Sequence, residues 1–164
     1  MLLANLADTA RVWVYQSNRV LTAAETTEIQ ALTNAFVGEW TAHGSDLTAA
    51  GEVIHDLFIV LSVDEAQAGA SGCSIDKSVA FIRSLQERYE IDLLDRMTFV
   101  YRNNLTGDVE TASRQNFARL YDIGMIDDET TVFDTVVPTL GEFRSRFELP
   151  LQASWHRRMV TMSV

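Results

Sequence analysis

The alternation of apolar and polar positions divides the chain into a run of short elements. Ala10 to Gln16 (ARVWVYQ) is rich in valine and aromatics and runs into Ser17-Asn18-Arg19, which predicts a strand followed by a turn. A capping box at Thr22-Ala23-Ala24-Glu25 opens a helix. Its apolar face carries Ile29, Leu32, Phe36 and Trp40, and it ends at His43-Gly44. Leu47 to Ile54 and Leu57 to Val63 read as two strands joined by a hairpin turn at His55-Asp56. The second of these is apolar almost throughout, as a central strand covered on both faces would be.

The small, polar run between Asp64 and Gly72 reads as a loop, and a second helix follows from Ser74. Ile75, Val79, Ile82, Leu85 and Tyr89 fall at helical spacing along it. Thr98 to Arg102 (TFVYR) predicts a strand, and Asn103 to Gly107 a turn. The order is therefore strand, helix, strand, strand, helix, strand. This is the ferredoxin-like βαββαβ arrangement, an α+β fold with a four-stranded antiparallel sheet and two helices on one face.

Beyond residue 103 the pattern predicts a C-terminal extension: a helix near Ser113 to Ile123 closed by Gly124, a strand at Thr130 to Val136, and a short helix opened by the capping box Thr139-Leu140-Gly141-Glu142 and closed by Pro150. The tail LQASWHRRMV is amphipathic and suited to dock on the sheet or on a second subunit. No repeat or linker divides the chain, so residues 1–164 read as a single domain with a 10–103 core and a 104–164 extension. A sheet face covered only in part by the extension would favour a homodimer.

Composition adds to this reading. At 164 residues, with 47% hydrophobic and 22% charged, the chain can bury a core without disulfides or a structural metal. The net charge of -10 disfavours a nucleic-acid binder, whose phosphate partners it would repel. Lys77 is the sole lysine beside twelve arginines. That usage fits either a salt-adapted surface, in which dense carboxylates stay hydrated, or a G+C-rich genome that writes Arg for Lys. Cys73 stands alone, which excludes an intrachain disulfide, and the three histidines show no metal-ligand spacing. The N-terminus lacks a signal-peptide pattern and no apolar run spans a bilayer, so a cytoplasmic protein without membrane partner or cofactor is expected.

The segment with the most chemistry is Gly69 to Ser78 (GASGCSIDKS), a small-residue loop running into a helix start. Free N–H groups and the helix dipole attract anions there, and would lower the pKa of a thiol. Ser71, Gly72, Cys73, Ser74 and Lys77 form the candidate ligand site, with Arg19 and Arg102 as supporting cations. The alternative is a structural helix start in which Gly72 turns, Ser74 caps and Cys73 packs. If Cys73 is instead a nucleophile, His156 is the base to pair with it, or Lys77 its support.

The segments RVWVYQSNR (Arg11 to Arg19), GASGCSIDKSVAF (Gly69 to Phe81), DRM (Asp95 to Met97), Tyr101-Arg102 and SWH (Ser154 to His156) resemble an uncharacterised bacterial family often labelled "ABC transporter ATPase". The resemblance implies no established activity. Aligning Lys77-Ser78 with a phosphate-binding loop puts Ser71 and Asp76 where both glycines belong, so an ATPase of that kind is not expected. Arg11, Arg19, Arg96, Arg102, Arg157 and Arg158, with Trp13, Tyr15, Phe99 and Tyr101 alternating along two strands, could make an RNA-stacking surface. Aromatics at such positions serve more commonly as cross-strand packing. The expectation is thus a binding or interaction protein holding an anionic ligand or a partner carboxylate, with a small cysteine enzyme as the alternative.

Overall fold

The computed structural model describes residues 2–42, 48–64 and 72–161, without the side chains of residues 2, 41, 42 and 72–74. It is a mixed α+β structure of two antiparallel sheets and five α-helices among the described residues. The first sheet has the order β1-β3-β2, from Arg11–Gln16 (β1), Thr48–Ile54 (β2) and Phe58–Asp64 (β3). The second has the order β5-β4-β6-β7, from Thr98–Arg102 (β4), Val109–Ser113 (β5), Thr131–Phe133 (β6) and Glu148–Pro150 (β7). The helices are Ala23–Ala42 (α1), Gly72–Tyr89 (α2), Arg114–Asp122 (α3), Leu140–Arg146 (α4) and His156–Thr161 (α5).

Helix α1 starts on the capping box its sequence announces. The Thr22 N–H donates to Glu25 Oε1 at 2.9 Å and the Glu25 N–H donates to Thr22 Oγ1 at 3.1 Å. The β2–β3 turn places His55 and Asp56 at φ of +55° and +54°, with the Leu57 N–H returning to the Ile54 carbonyl at 3.1 Å. Strand β3 is central and buried on both faces. Ile59 and Leu61 face α1 and α2, where Ile29, Trp40, Ile82 and Leu85 pack, while Phe58 and Val60 face Leu3, Leu6, Val100, Phe133, Leu140 and Phe147. The second face of this sheet is therefore covered by the chain's own N-terminal turn, α4 and second sheet. An open sheet face of the kind that would favour a homodimer does not arise there.

The ferredoxin-like arrangement holds for three strands and departs at the fourth. β4 would lie beside β1 in that topology, but it pairs with β5 on one side and β6 on the other. The reason is local. The Asn103–Asp108 turn, with Gly107 at φ +79° and the Asn103 N–H bonded to the Asp108 carbonyl at 2.8 Å, closes a hairpin at little entropic cost. That fills one edge of β4. The outer edge of β1 is met instead by Pro138–Thr139, through the Val12 N–H to the Pro138 carbonyl at 3.1 Å and a bridge between Arg11 and Thr139.

The extension also differs in detail. The strand predicted for Thr130 to Val136 stops at Phe133, because the Asp134 carboxylate takes the Val136 N–H at 2.9 Å and turns the chain. Helix α4 ends at Arg146, and Pro150 closes β7, which the sequence reading lacks along with β5. Helix α3 begins as expected at Ser113, whose Oγ accepts from the Asn116 N–H, and Gly124 at φ +80° follows its end. Among the described residues no helix is long and apolar enough to cross a membrane.

Candidate functional site

The helix-start candidate is only partly in view. Ser71 lies outside the described residues, as do His43 and the side chains of Cys73 and Ser74. Lys77 and Asp76 follow on the first turns of α2, both exposed.

Arg19 does not join them. Its guanidinium grips Glu25 with two bonds of 2.9 and 2.8 Å and donates to the Tyr89 carbonyl at 2.9 Å. It thus ties the N-terminus of α1 to the C-terminus of α2, about 18 Å along the helix from Lys77 at the usual rise. The Arg19 bonds, with the Thr22 N–H, hold the Glu25 carboxyl down at about 2. Stability from this pair is complete above the ordinary carboxyl value and is lost as pH falls toward 2. Arg19→Ala is expected to cost about 1 kcal/mol at pH 7, since the pair is part exposed and water screens it. It should also remove that acid-dependent loss, and melting curves at pH 7 and pH 3 check both. A variant as acid-sensitive as the parent would exclude this role.

Arg102 stands at the far end of β3 from Asp64. It donates to the Gly107 carbonyl at 2.9 Å and to Glu148 Oε1 at 2.8 Å, and the same carboxylate meets His55 Nε2 at 3.1 Å. This trio pins the β2–β3 turn to β7 and the β4–β5 turn.

His156 is buried, at 1% exposure. Its ring stacks on Trp155 at 3.8 Å and meets Phe99 and Phe117 at 5.6 and 5.9 Å. Nδ1 is bonded to Ser154 Oγ at 2.5 Å. Burial drives its pKa down to about 4, against a smaller upward pull from the Asp134 carboxylate. It is a neutral, enclosed ring whose ring contacts come from β4, α3 and its own neighbour.

The four aromatics that alternate along the strands do not form a stacking surface. Trp13 and Tyr15 pack beneath α1 and α2 on the first sheet, while Phe99 and Tyr101 lie beneath α3 on the second. Among the described residues no group of three His, Cys, Asp or Glu side chains could hold a metal ion.

A concave surface on the second sheet combines apolar walls with polar groups. A groove of about 300 Å³ runs between β5 and α3. Tyr101, Thr111 and Ala112 line it from the strands, and Asn116, Arg119, Leu120 and Ile123 line it from the helix. Those four recur at i, i+3, i+4 and i+7, so α3 turns one stripe toward the core at Phe117 and another toward the groove. The Tyr101 hydroxyl donates to Glu110 Oε2 at 2.9 Å, and burial followed by that bond pushes its pKa up to about 12. It stays protonated and serves as a hydrogen-bond donor, not a base. Glu110 is held further by the Asn103 amide at 3.1 Å. No described carboxylate pairs with Arg119, and Ile123 is 62% exposed.

The sequence reading singles out none of the groove's α3 residues. The signal available was Ile123, an apolar residue set off the stripe that buries Phe117. Compared with protein-family models, with curated proteins and with solved structures, the chain matches none.

Proposed function

We propose that this chain is a non-catalytic binding protein that works by contact with another polypeptide at the β5–α3 groove. The observation that carries the reading is the groove's make-up: apolar walls from Tyr101, Ala112, Leu120 and Ile123 beside an Arg119 guanidinium with no described carboxylate partner. Apolar area supplies the attraction and the lone cation selects a carboxylate. The engagement of the acid–base groups supports the same reading. Tyr101 is held protonated on Glu110, and His156 is enclosed and bonded to Ser154. An anion-holding role at Gly69 to Ser78 retains Lys77 but neither Arg19 nor Arg102, which are occupied elsewhere.

A photo-cross-linking amino acid at Ile123, in the full chain expressed in its own cells, tests the reading. It should give one discrete adduct with a polypeptide, lost with Arg119→Glu and kept with Cys73→Ser. No adduct, or a diffuse ladder, would overturn it.

A further inference from the structure

Four strand edges bound the two sheets, and three of them carry a partial cover or a break among the described residues. The outer edge of β1 is met by Pro138–Thr139. On β2 the side chain of Gln30 acts as a one-residue strand, its Nε2 donating to the Gly51 carbonyl at 3.1 Å and its Oε1 accepting the Val53 N–H at 2.8 Å. β7 is three residues long and ends in Pro150, which has no N–H to offer. Only β5, among the described strands, has an outer edge with no such cover.

The register shows which groups that edge presents. The Asn103 N–H reaches the Asp108 carbonyl and the Arg114 N–H reaches the Met97 carbonyl, so these are hydrogen-bonded pairs at the two ends of the β4–β5 ladder. Pairs alternate in an antiparallel ladder, so Phe99 with Ala112 and Tyr101 with Glu110 are bonded pairs too. The N–H and C=O groups of Val109 and Thr111 therefore point away from β4, toward open space beside the groove.

We infer that the β5 edge is a homodimer interface, in which a second copy adds its own β5 antiparallel about a two-fold axis at Thr111. This rests on the groove being a contact surface and names its occupant. Centred there, Thr111 exchanges two N–H···O bonds with Thr111 of the second copy, and Val109 pairs with Ser113. The outward-pointing residues are the ones that meet, which the parity of the ladder requires. The same register sets Glu110 of each copy opposite Ala112 of the other. Ala112 lines the groove beside Arg119, so each Arg119 guanidinium, which has no described carboxylate partner, receives one, and no like charges are opposed. An exposed apolar side chain, Ile123, lines the groove beside the edge for the second copy to cover. A two-fold contact of this kind closes on itself and leaves no free β5 edge to propagate.

Sedimentation of the purified full chain across about 1 to 100 µM tests the inference, a span that brackets the affinities of modest interfaces. The expected result is a monomer–dimer equilibrium. Thr111→Pro should weaken it at least about tenfold while leaving the melting temperature of the monomer nearly unchanged, because the lost N–H makes no intrachain bond. Arg119→Glu, a surface change on α3 with no described ion pair to break, should weaken it similarly, so the test survives if the proline variant folds poorly. A monomer throughout the range, or a dimer indifferent to both substitutions, would overturn the inference. If the Ile123 adduct is then found on a different polypeptide, the contact-surface reading stands and only the identity of the occupant falls.

Discussion

Replacing Phe58 by alanine is expected to destabilise the fold by about 3–5 kcal/mol, the usual range for truncating a fully buried phenylalanine. Phe58 has no solvent exposure, and its ring meets Phe133 at 5.4 Å and Phe147 edge-on at 5.0 Å. Those two partners come from the second sheet and from the end of α4, so the ring sits where the two sheets are pinned together. Three mutually packed rings leave little that can collapse into the space, which places the cost toward the upper part of the range. Urea unfolding of parent and variant measures it. A loss under about 2 kcal/mol would mean that the Phe133–Phe147 pair closes over the gap, and that the sheets are held elsewhere. A single cooperative transition in the variant would show in addition that the two sheets still unfold together.

What could be read in advance follows from where the determining interactions lie along the chain. Helix α1 and the Thr139 start of α4 were legible because a capping box is complete within four residues. Strand β3 was legible because six consecutive buried positions leave no exposed face to disguise it. β5 was not, because V-E-T-A-S offers one valine and one alanine, and its strand character comes from the Asn103–Asp108 turn that folds it back on β4. That pairing, invisible in composition, is also what moved β4 out of the first sheet. β6 was overextended for a similar reason: Asp134 looks like an ordinary position in an apolar run until its carboxylate is seen to turn the chain at Val136.

The site was less legible than the fold. Arg19 and Arg102 are basic residues in turn-like contexts, which suggests free cations. Each has one partner nearby, Glu25 for Arg19 and the Gly107 carbonyl for Arg102, but the partners that fix their place, Tyr89 at 70 residues' separation and Glu148 at 46, are set by tertiary structure. No motif marks either arginine as occupied. The reverse holds for Arg119, one cation on an ordinary helix, distinguished only by the empty strand edge beside it. Edge management shows the same division. Gln30 as a stand-in strand depends on α1 lying across β2, and only once β1 and β2 are seen to be partly covered and β7 to be cut short by Pro150 does β5 stand out.

His156 is expected to make the protein lose stability as pH falls from about 6.5 to about 4. The folded state holds the ring neutral, with its pKa driven down from 6.5 to about 4 by burial among Phe99, Phe117 and Trp155. The unfolded chain takes up a proton near pH 6.5 that the folded chain refuses until near pH 4, so each step downward through that window favours unfolding. At 1.36 kcal/mol per pH unit the full loss is about 3 kcal/mol, with nothing lost above pH 7. Asp134 works against the shift, but its carboxylate is committed to the Trp155 Nε1–H at 3.2 Å, the Val136 N–H and Arg146 at 3.5 Å. His156→Phe separates this from the general acid sensitivity of carboxylates, which both proteins share. Phenylalanine suits the surrounding rings and gives up the Ser154 bond, a cost of about 1 kcal/mol independent of pH. The parent should therefore be the more stable protein at pH 7 and the less stable at pH 4, by urea unfolding at each pH. Curves that stay parallel between those values would mean that the ring is protonated in the folded protein, and that its contact with Ser154 and the aromatic cage is looser than the geometry shows.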